Sequence, residues 1–185
     1  RAQEIAAATG MTCQVFDEEA MDRIGMRTIL AVSQGSAQPA RFIVMEHGRE
    51  KVGEKPIVFV GKGITFDSGG ISLKPGDGMW EMKFDMSGGA AVIGAMQAVA
   101  GLDLPIRVVG LVAATENLPG GAALKPGDVL RIYGGKTVEV VSTDAEGRLI
   151  LADALAYGKE KGLTPLVDLA TLTGACHIAL GDSWS

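Results

Sequence analysis

In the run Ser142-Thr-Asp-Ala-Glu-Gly-Arg-Leu149, two carboxylates and a guanidinium occupy alternate positions, directly after the strand-like residues 137–141. Extended backbone places side chains two apart on one face, so Asp144, Glu146 and Arg148 are predicted to project into one cleft. A helix would set Asp144 and Glu146 on nearly opposite sides. Two acids aimed at one point repel unless positive charge lies between them. A divalent metal ion is the candidate that fits.

A second stretch, Gly61-Lys-Gly-Ile-Thr-Phe-Asp-Ser-Gly-Gly-Ile-Ser-Leu-Lys74, begins where the apolar run 56–60 ends, and Asp85 follows within Lys83-Phe-Asp-Met86. Residues 61–85 are rich in Gly, Lys and Asp with little periodicity, which predicts a long irregular stretch of the kind that carries function. If Asp67 and Asp85 meet Asp144 and Glu146, four carboxylates converge. One divalent cation would leave surplus negative charge in a poorly solvated cleft, whereas two would neutralise it. All-oxygen ligands suit Mg²⁺ or Mn²⁺, and a nitrogen donor makes Zn²⁺ competitive. His47 and His177 lie outside both motifs, which leaves Lys62 as a candidate nitrogen. Burial and adjacent cations would favour its neutral amine.

These residues need a scaffold. Apolar runs bounded by turn signals at 56–60, 106–113 and 166–170 read as buried strands, and 12–16, 41–46, 128–133 and 137–141 as further strands. Segments 2–9, 18–24, 88–100, 149–161 and 172–180 read as helices; 28–32 is ambiguous, and 47–55 is a charged surface connector. Gly134-Gly135 between two strand runs marks a hairpin. The motif Gly134-Gly-Lys-Thr137 superficially suggests a phosphate loop, but Leu130 stands where its first glycine belongs and a strand follows instead of a helix. Strands alternating with helices predict an α/β fold with a mixed, mostly parallel central sheet flanked by helices. Chemistry is then expected at the carboxyl ends of the strands.

Composition excludes several classes. A net charge of −5 disfavours nucleic acid or an anionic membrane as partner, and no apolar run reaches the ~18 residues of a membrane span. Cys13 and Cys176 are far apart with no CxxC pairing, so they read as reduced apolar fillers of a cytoplasmic protein, and His177 as structural. The 185 residues fit one domain. The chain starts at Arg1 rather than Met and stops just past an apolar segment, so it reads as part of a longer protein.

The motif Thr143-Asp-Ala-Glu-Gly-Arg-Leu149 resembles the signature of the leucyl aminopeptidases (cytosol aminopeptidases) of dinuclear-metal type. Residues 62–74, the Asp85 segment, Pro119-Gly-Gly121 and Thr171-Leu-Thr-Gly-Ala175 match that family in order and spacing. The resemblance implies that Asp67 and Glu146 bridge two metals, Asp144 ligates one, and Lys62 and Asp85 ligate the other. It assigns Lys74 and Arg148 catalytic roles, Arg148 holding a bicarbonate ion. Met82, Thr171, Leu172 and Gly174 match the pocket for the first substrate side chain.

The implied activity is removal of an N-terminal, Leu-like residue from peptides with a free amine, by a metal-activated water with two divalent ions, Zn or Mn, with Mg as an alternative. A dinuclear-metal phosphoesterase, or a non-catalytic fragment stabilised by metal, is the alternative. Family members are hexamers with a separate N-terminal domain and a longer catalytic domain, so residues 1–185 correspond to a partial catalytic domain. One departure is Ser142, where the family usually has Asn.

Overall fold

The computed structural model describes residues 1–48, 50, 55–102, 104–181 and 183. With strands numbered along the chain, the main sheet runs β1 (Thr12–Phe16), β2 (Arg41–His47), β4 (Val108–Asn117), β3 (Ile57–Asp67), β7 (Leu166–Leu169). β4, β3 and β7 are mutually parallel, while β2 runs antiparallel to β4 and β1 to β2. The sheet is therefore mixed, with its parallel part at the site, as the strand–helix alternation predicts.

Alternation along β4 explains the layers. Val109, Leu111 and Ala113 point into one core with α3 (Arg27–Ser33) and α5 (Glu146–Glu160). Val108 and Val112 point into the other, with α1 (Ala2–Thr9) and α4 (Ser87–Gly101). Period-two side chains thus bury both faces of a central strand. A short helix, α2 (Glu18–Ile24), starts at Asp17, whose carboxylate accepts from Ala20 N. Phe16, Phe42, Tyr133 and Tyr157 meet at tilted or edge-on angles beside the first core.

Two devices seat the elements that carry the acids. Glycines let α4 approach the sheet: a Cβ on Gly61 would lie 2.7 Å from Gly89 Cα, and one on Gly88 would overlap the Leu169 carbonyl. On the opposite face, fully buried Asp153 of α5 accepts from Thr28 N (2.9 Å), Ile29 N (3.1 Å) and Tyr133 N (2.8 Å). Burial pushes the Asp153 carboxyl up, and these bonds oppose the shift. Asp153 thereby ties α3 and the hairpin β5–β6 (Val129–Arg131, Thr137–Glu139) to α5. The Thr28 hydroxyl adds a bond to Leu149 O at 2.7 Å, one turn inside α5.

Several sequence expectations need correction. The irregular stretch begins later than expected, because β3 continues through Asp67; Gly61 and Gly63 interrupt the apolar signal without ending the strand. A 3₁₀ turn then spans Met79–Phe84. The extended reading of 142–148 fails: Thr143–Ala145 is a 3₁₀ turn and α5 starts at Glu146, three residues before the predicted start. Ser142 Oγ caps the 3₁₀ turn by accepting from Asp144 N. The acidic Glu146 in the first turn of α5 favours a helix there, although its own N-cap, Ala145, makes no side-chain bond.

The ambiguous 28–32 is helical, and the last helix is confined to Ala175–Leu180. Cys176 and His177 are exposed rather than core, because that helix buries none of its residues and β7 pairs on one side only. The hairpin at Gly134-Gly135 holds, both glycines having positive φ (83° and 99°). Most of the charged connector 47–55 lies outside the described residues.

Candidate metal centre

Lys62 and Asp67 are five apart, a spacing that would put them on opposite faces of an unbroken strand. A register shift corrects this. Lys62 pairs with Ala113 and Asp67 with Asn117, so β3 uses one more residue than β4 over the interval. The bulge brings both side chains to the face that α5 covers. Asp85 closes the Met79–Phe84 turn, and the glycine-lined approach of α4 brings it to Lys62.

The result is a buried chain of alternating charge. Lys62 Nζ lies 2.8 Å from Asp85 Oδ1, 2.7 Å from Asp85 Oδ2 and 2.8 Å from Glu146 Oε1, all three side chains 5% exposed or less. It also donates to Thr171 O at 2.9 Å. Lys74 Nζ lies 3.1 Å from Asp67 Oδ2 and 2.5 Å from Asp144 Oδ1, at the more open end of the cluster. One carboxylate oxygen each from Asp67, Asp144 and Glu146 lies within 4.8 Å of the others. Three of the four predicted carboxylates therefore lie together, through a turn and a helix start rather than one extended face, and Asp85 joins them through Lys62.

Electrostatics follow from burial. Burial raises the Glu146 carboxyl to about 7; Lys62 opposes the shift and Asp67 adds to it. Burial likewise raises Asp85, against hydrogen bonds from Lys62 and Thr171. For Lys74 the largest effect, burial, pulls the ammonium down, but bonds to Asp144 and Asp67 outweigh it and the net direction is up.

Do these residues fit divalent cations? Glu146 Oε2 is buried without a hydrogen-bond partner. Asp85 Oδ2 is close to Lys62 Nζ, but not in hydrogen-bonding geometry, and is likewise unsatisfied. Orphaned buried carboxylate oxygens are costly, and four carboxylates against two lysines leave net negative charge. Cations bound among these oxygens would remove both costs. The donor set fits.

Other predicted residues are placed differently. Arg148 is exposed on the first turn of α5, and among the described residues no ion pair joins it to the four carboxylates. Thr171 Oγ1 donates to Asp85 Oδ1 at 2.7 Å, so its hydroxyl and its carbonyl both touch the cluster. Leu172 Cδ1 lies 3.1 Å from where a Cβ on Gly147 would stand, beside Lys62. Met82 is half-buried in the Met79–Phe84 turn, and Gly174 is exposed ahead of the last helix.

Sequence reasoning passed over two residues that touch the cluster's frame, Asn117 and Thr143. Thr143 and Ser72 exchange bonds, Ser72 N to Thr143 Oγ1 (2.8 Å) and Thr143 N to Ser72 Oγ (3.1 Å), tying the Lys74 loop to the Asp144 turn. The available signal was position: Asn117 stands at the carboxyl end of a central strand.

A sequence model of the cytosol aminopeptidase family, catalytic domain, matches residues 1–185. Several relatives carry the name "Probable cytosol aminopeptidase". The one from Geobacter sulfurreducens is 57% identical over all of this chain and 37% of its own length. That from Chlorobium limicola is 56% identical over 98% and 38% respectively. That from Chlorobaculum tepidum is 58% identical over 94% and 35%. This chain belongs to the cytosol aminopeptidase family. It spans a little over a third of the length of those relatives. No helix among the described residues is long and apolar enough to cross a membrane.

Proposed function

We propose that this chain carries the active centre of a dinuclear-metal aminopeptidase that removes an N-terminal, Leu-like residue from cytoplasmic peptides. The observation that carries the reading is the convergence of Asp67, Asp144 and Glu146 within 4.8 Å, beside a buried Lys62–Asp85 pair. Asp67 and Glu146 would hold both ions, Asp144 one, and Lys62 with Asp85 the other. Two divalent cations held there would supply Lewis acidity and an activated water, with a bicarbonate on Arg148 as proton relay.

The chain's own residues do the rest. Lys74, drawn to the cluster by Asp67 and Asp144, offers a fixed ammonium to negative charge that develops on the scissile carbonyl oxygen. Arg148, exposed at the start of α5, would hold the bicarbonate. Met82 and the 171–174 segment border the place of the first side chain, and a soft thioether wall suits Leu- or Met-like groups. A neutral, unblocked N-terminal amine would be a ligand for the ion that Lys62 and Asp85 hold, so a blocked amine should not be turned over. Zn²⁺ or Mn²⁺ is the expected pair: the oxygen donors suit Mn²⁺, and a neutral Lys62 amine would make Zn²⁺ competitive. Hexameric assembly, as in the family, belongs to the same reading.

Leu-p-nitroanilide hydrolysis before chelation, after chelation and after Mn²⁺ or Zn²⁺ return tests it. The expected result is turnover that chelation removes, metal restores and N-acetylation of the substrate abolishes. Equal hydrolysis of blocked and free substrate, or turnover of p-nitrophenyl phosphate alone, would overturn it.

A further inference from the structure

Asn117 is 4% exposed at the carboxyl end of β4 and stands opposite Asp67 in the β3–β4 register. Its side-chain nitrogen donates to Asp67 Oδ1 at 2.8 Å and to Thr143 O at 3.0 Å. Asp67 comes from the sheet, and Thr143 opens the turn that carries Asp144 and leads to Glu146. One buried amide thus spans the two pieces of backbone that bring three of the carboxylates together.

The orientation of that amide is fixed by chemistry. Reversing it would aim the Asn117 oxygen at a carboxylate and a carbonyl, both acceptors only. Packing fixes its position as well. A Cβ on Gly70 would lie 2.8 Å from Asn117 Oδ1 and 3.0 Å from Thr143 Oγ1, so the 69–70 turn closes directly over the amide. Ser68 fastens the same strand end, its N and Oγ both donating to Asn117 O at 3.0 and 2.8 Å. Gly69 N also donates to Asp67 Oδ1 at 2.9 Å, and with Oδ1 held by these two donors Oδ2 is turned toward Lys74.

We infer that Asn117 is a positioning residue of the metal centre: its amide sets the direction of the Asp67 carboxylate and the separation of Asp67 from the Asp144–Glu146 segment. The inference rests on the two-metal reading above. Partners that orient metal ligands typically change metal affinity by about 10–100-fold when removed. Asn117→Ala removes the brace, and Asn117→Asp keeps its shape while replacing two donors with acceptors.

Calorimetric titration with Mn²⁺ alone, on the protein and both variants, is the test. Native protein is expected to bind two ions, and each variant to lose about 10–100-fold in affinity while melting cooperatively. The spin-coupled Mn²⁺ resonance of the native pair should weaken or change spacing in the variants, a readout that mere loss of stability would not move. Should neither variant fold, the native protein still decides: the Asn117 side-chain amide NMR signals are expected to shift on Zn²⁺ addition, and unmoved signals overturn the inference. Native affinity and coupling in either folded variant would overturn it while leaving the two-metal reading intact. Native protein that binds no Mn²⁺ overturns both.

Discussion

Glu146 carries the sharpest consequence at the residue scale. Its carboxyl is raised to about 7, chiefly by burial, and a carboxylate must be deprotonated to ligate. Below that value protons compete with metal, and each pH unit costs up to about tenfold in affinity through this one group. Above it the dependence on Glu146 flattens. Mn²⁺ titrations on both sides of pH 7 are expected to show that break, and affinity level across the range would contradict it. Lys74 makes a kinetic prediction. If its ammonium meets charge that appears mainly in the transition state, Lys74→Ala lowers kcat by about 10²–10³-fold with a smaller rise in KM. An unchanged kcat would remove Lys74 from that role.

At the scale of elements, two glycines separate folding from site geometry. Gly61→Ala drives a Cβ to 2.7 Å from the α4 backbone, which cannot yield cheaply, so a loss of about 1–3 kcal/mol in urea denaturation is expected. Gly147→Ala meets Lys62 Cε and Nζ at 2.9–3.0 Å. Displacing Lys62 unpairs buried Asp85 and Glu146, so stability should fall by about 1–3 kcal/mol and metal affinity should fall with it, whereas Gly61→Ala should leave metal affinity nearly unchanged. Equal effects of the two substitutions on metal affinity would contradict this division. The same glycines explain what the sequence concealed. Residues 56–60 read as a strand because nothing interrupts their apolar run, but Gly61, Lys62 and Gly63 hide its continuation to Asp67. Gly61 is small to admit α4, a long-range demand invisible locally. Ser142 before an acidic turn did signal a helix start, yet alternating charge suggested extension. The acids and lysines were legible because they fall in dense Gly- and charge-rich runs that follow apolar segments. Asn117 was not, since a lone polar residue there carries no pattern of its own.

The whole molecule places a parallel group of strands at the centre of a mixed sheet and gathers its acids where β3, β4 and β7 end. Helices on both faces hold that arrangement: α5 through Asp153, α4 through glycine contacts. Ions bound only by the folded state add stability, about 2.7 kcal/mol per site at a hundredfold excess over Kd. In a domain of this size each kcal/mol moves Tm by about 2–4 °C, so chelation is expected to lower Tm by several degrees and metal return to restore it. A Tm indifferent to chelation would mean that the acids do not bind ions in the folded chain. The most direct measurement is the metal-to-chain ratio after equilibrium dialysis against Mn²⁺, with Glu146→Gln beside the native protein. Two ions per native chain, and fewer in Glu146→Gln, is the predicted result; an empty native centre, or the same occupancy in both, would contradict it.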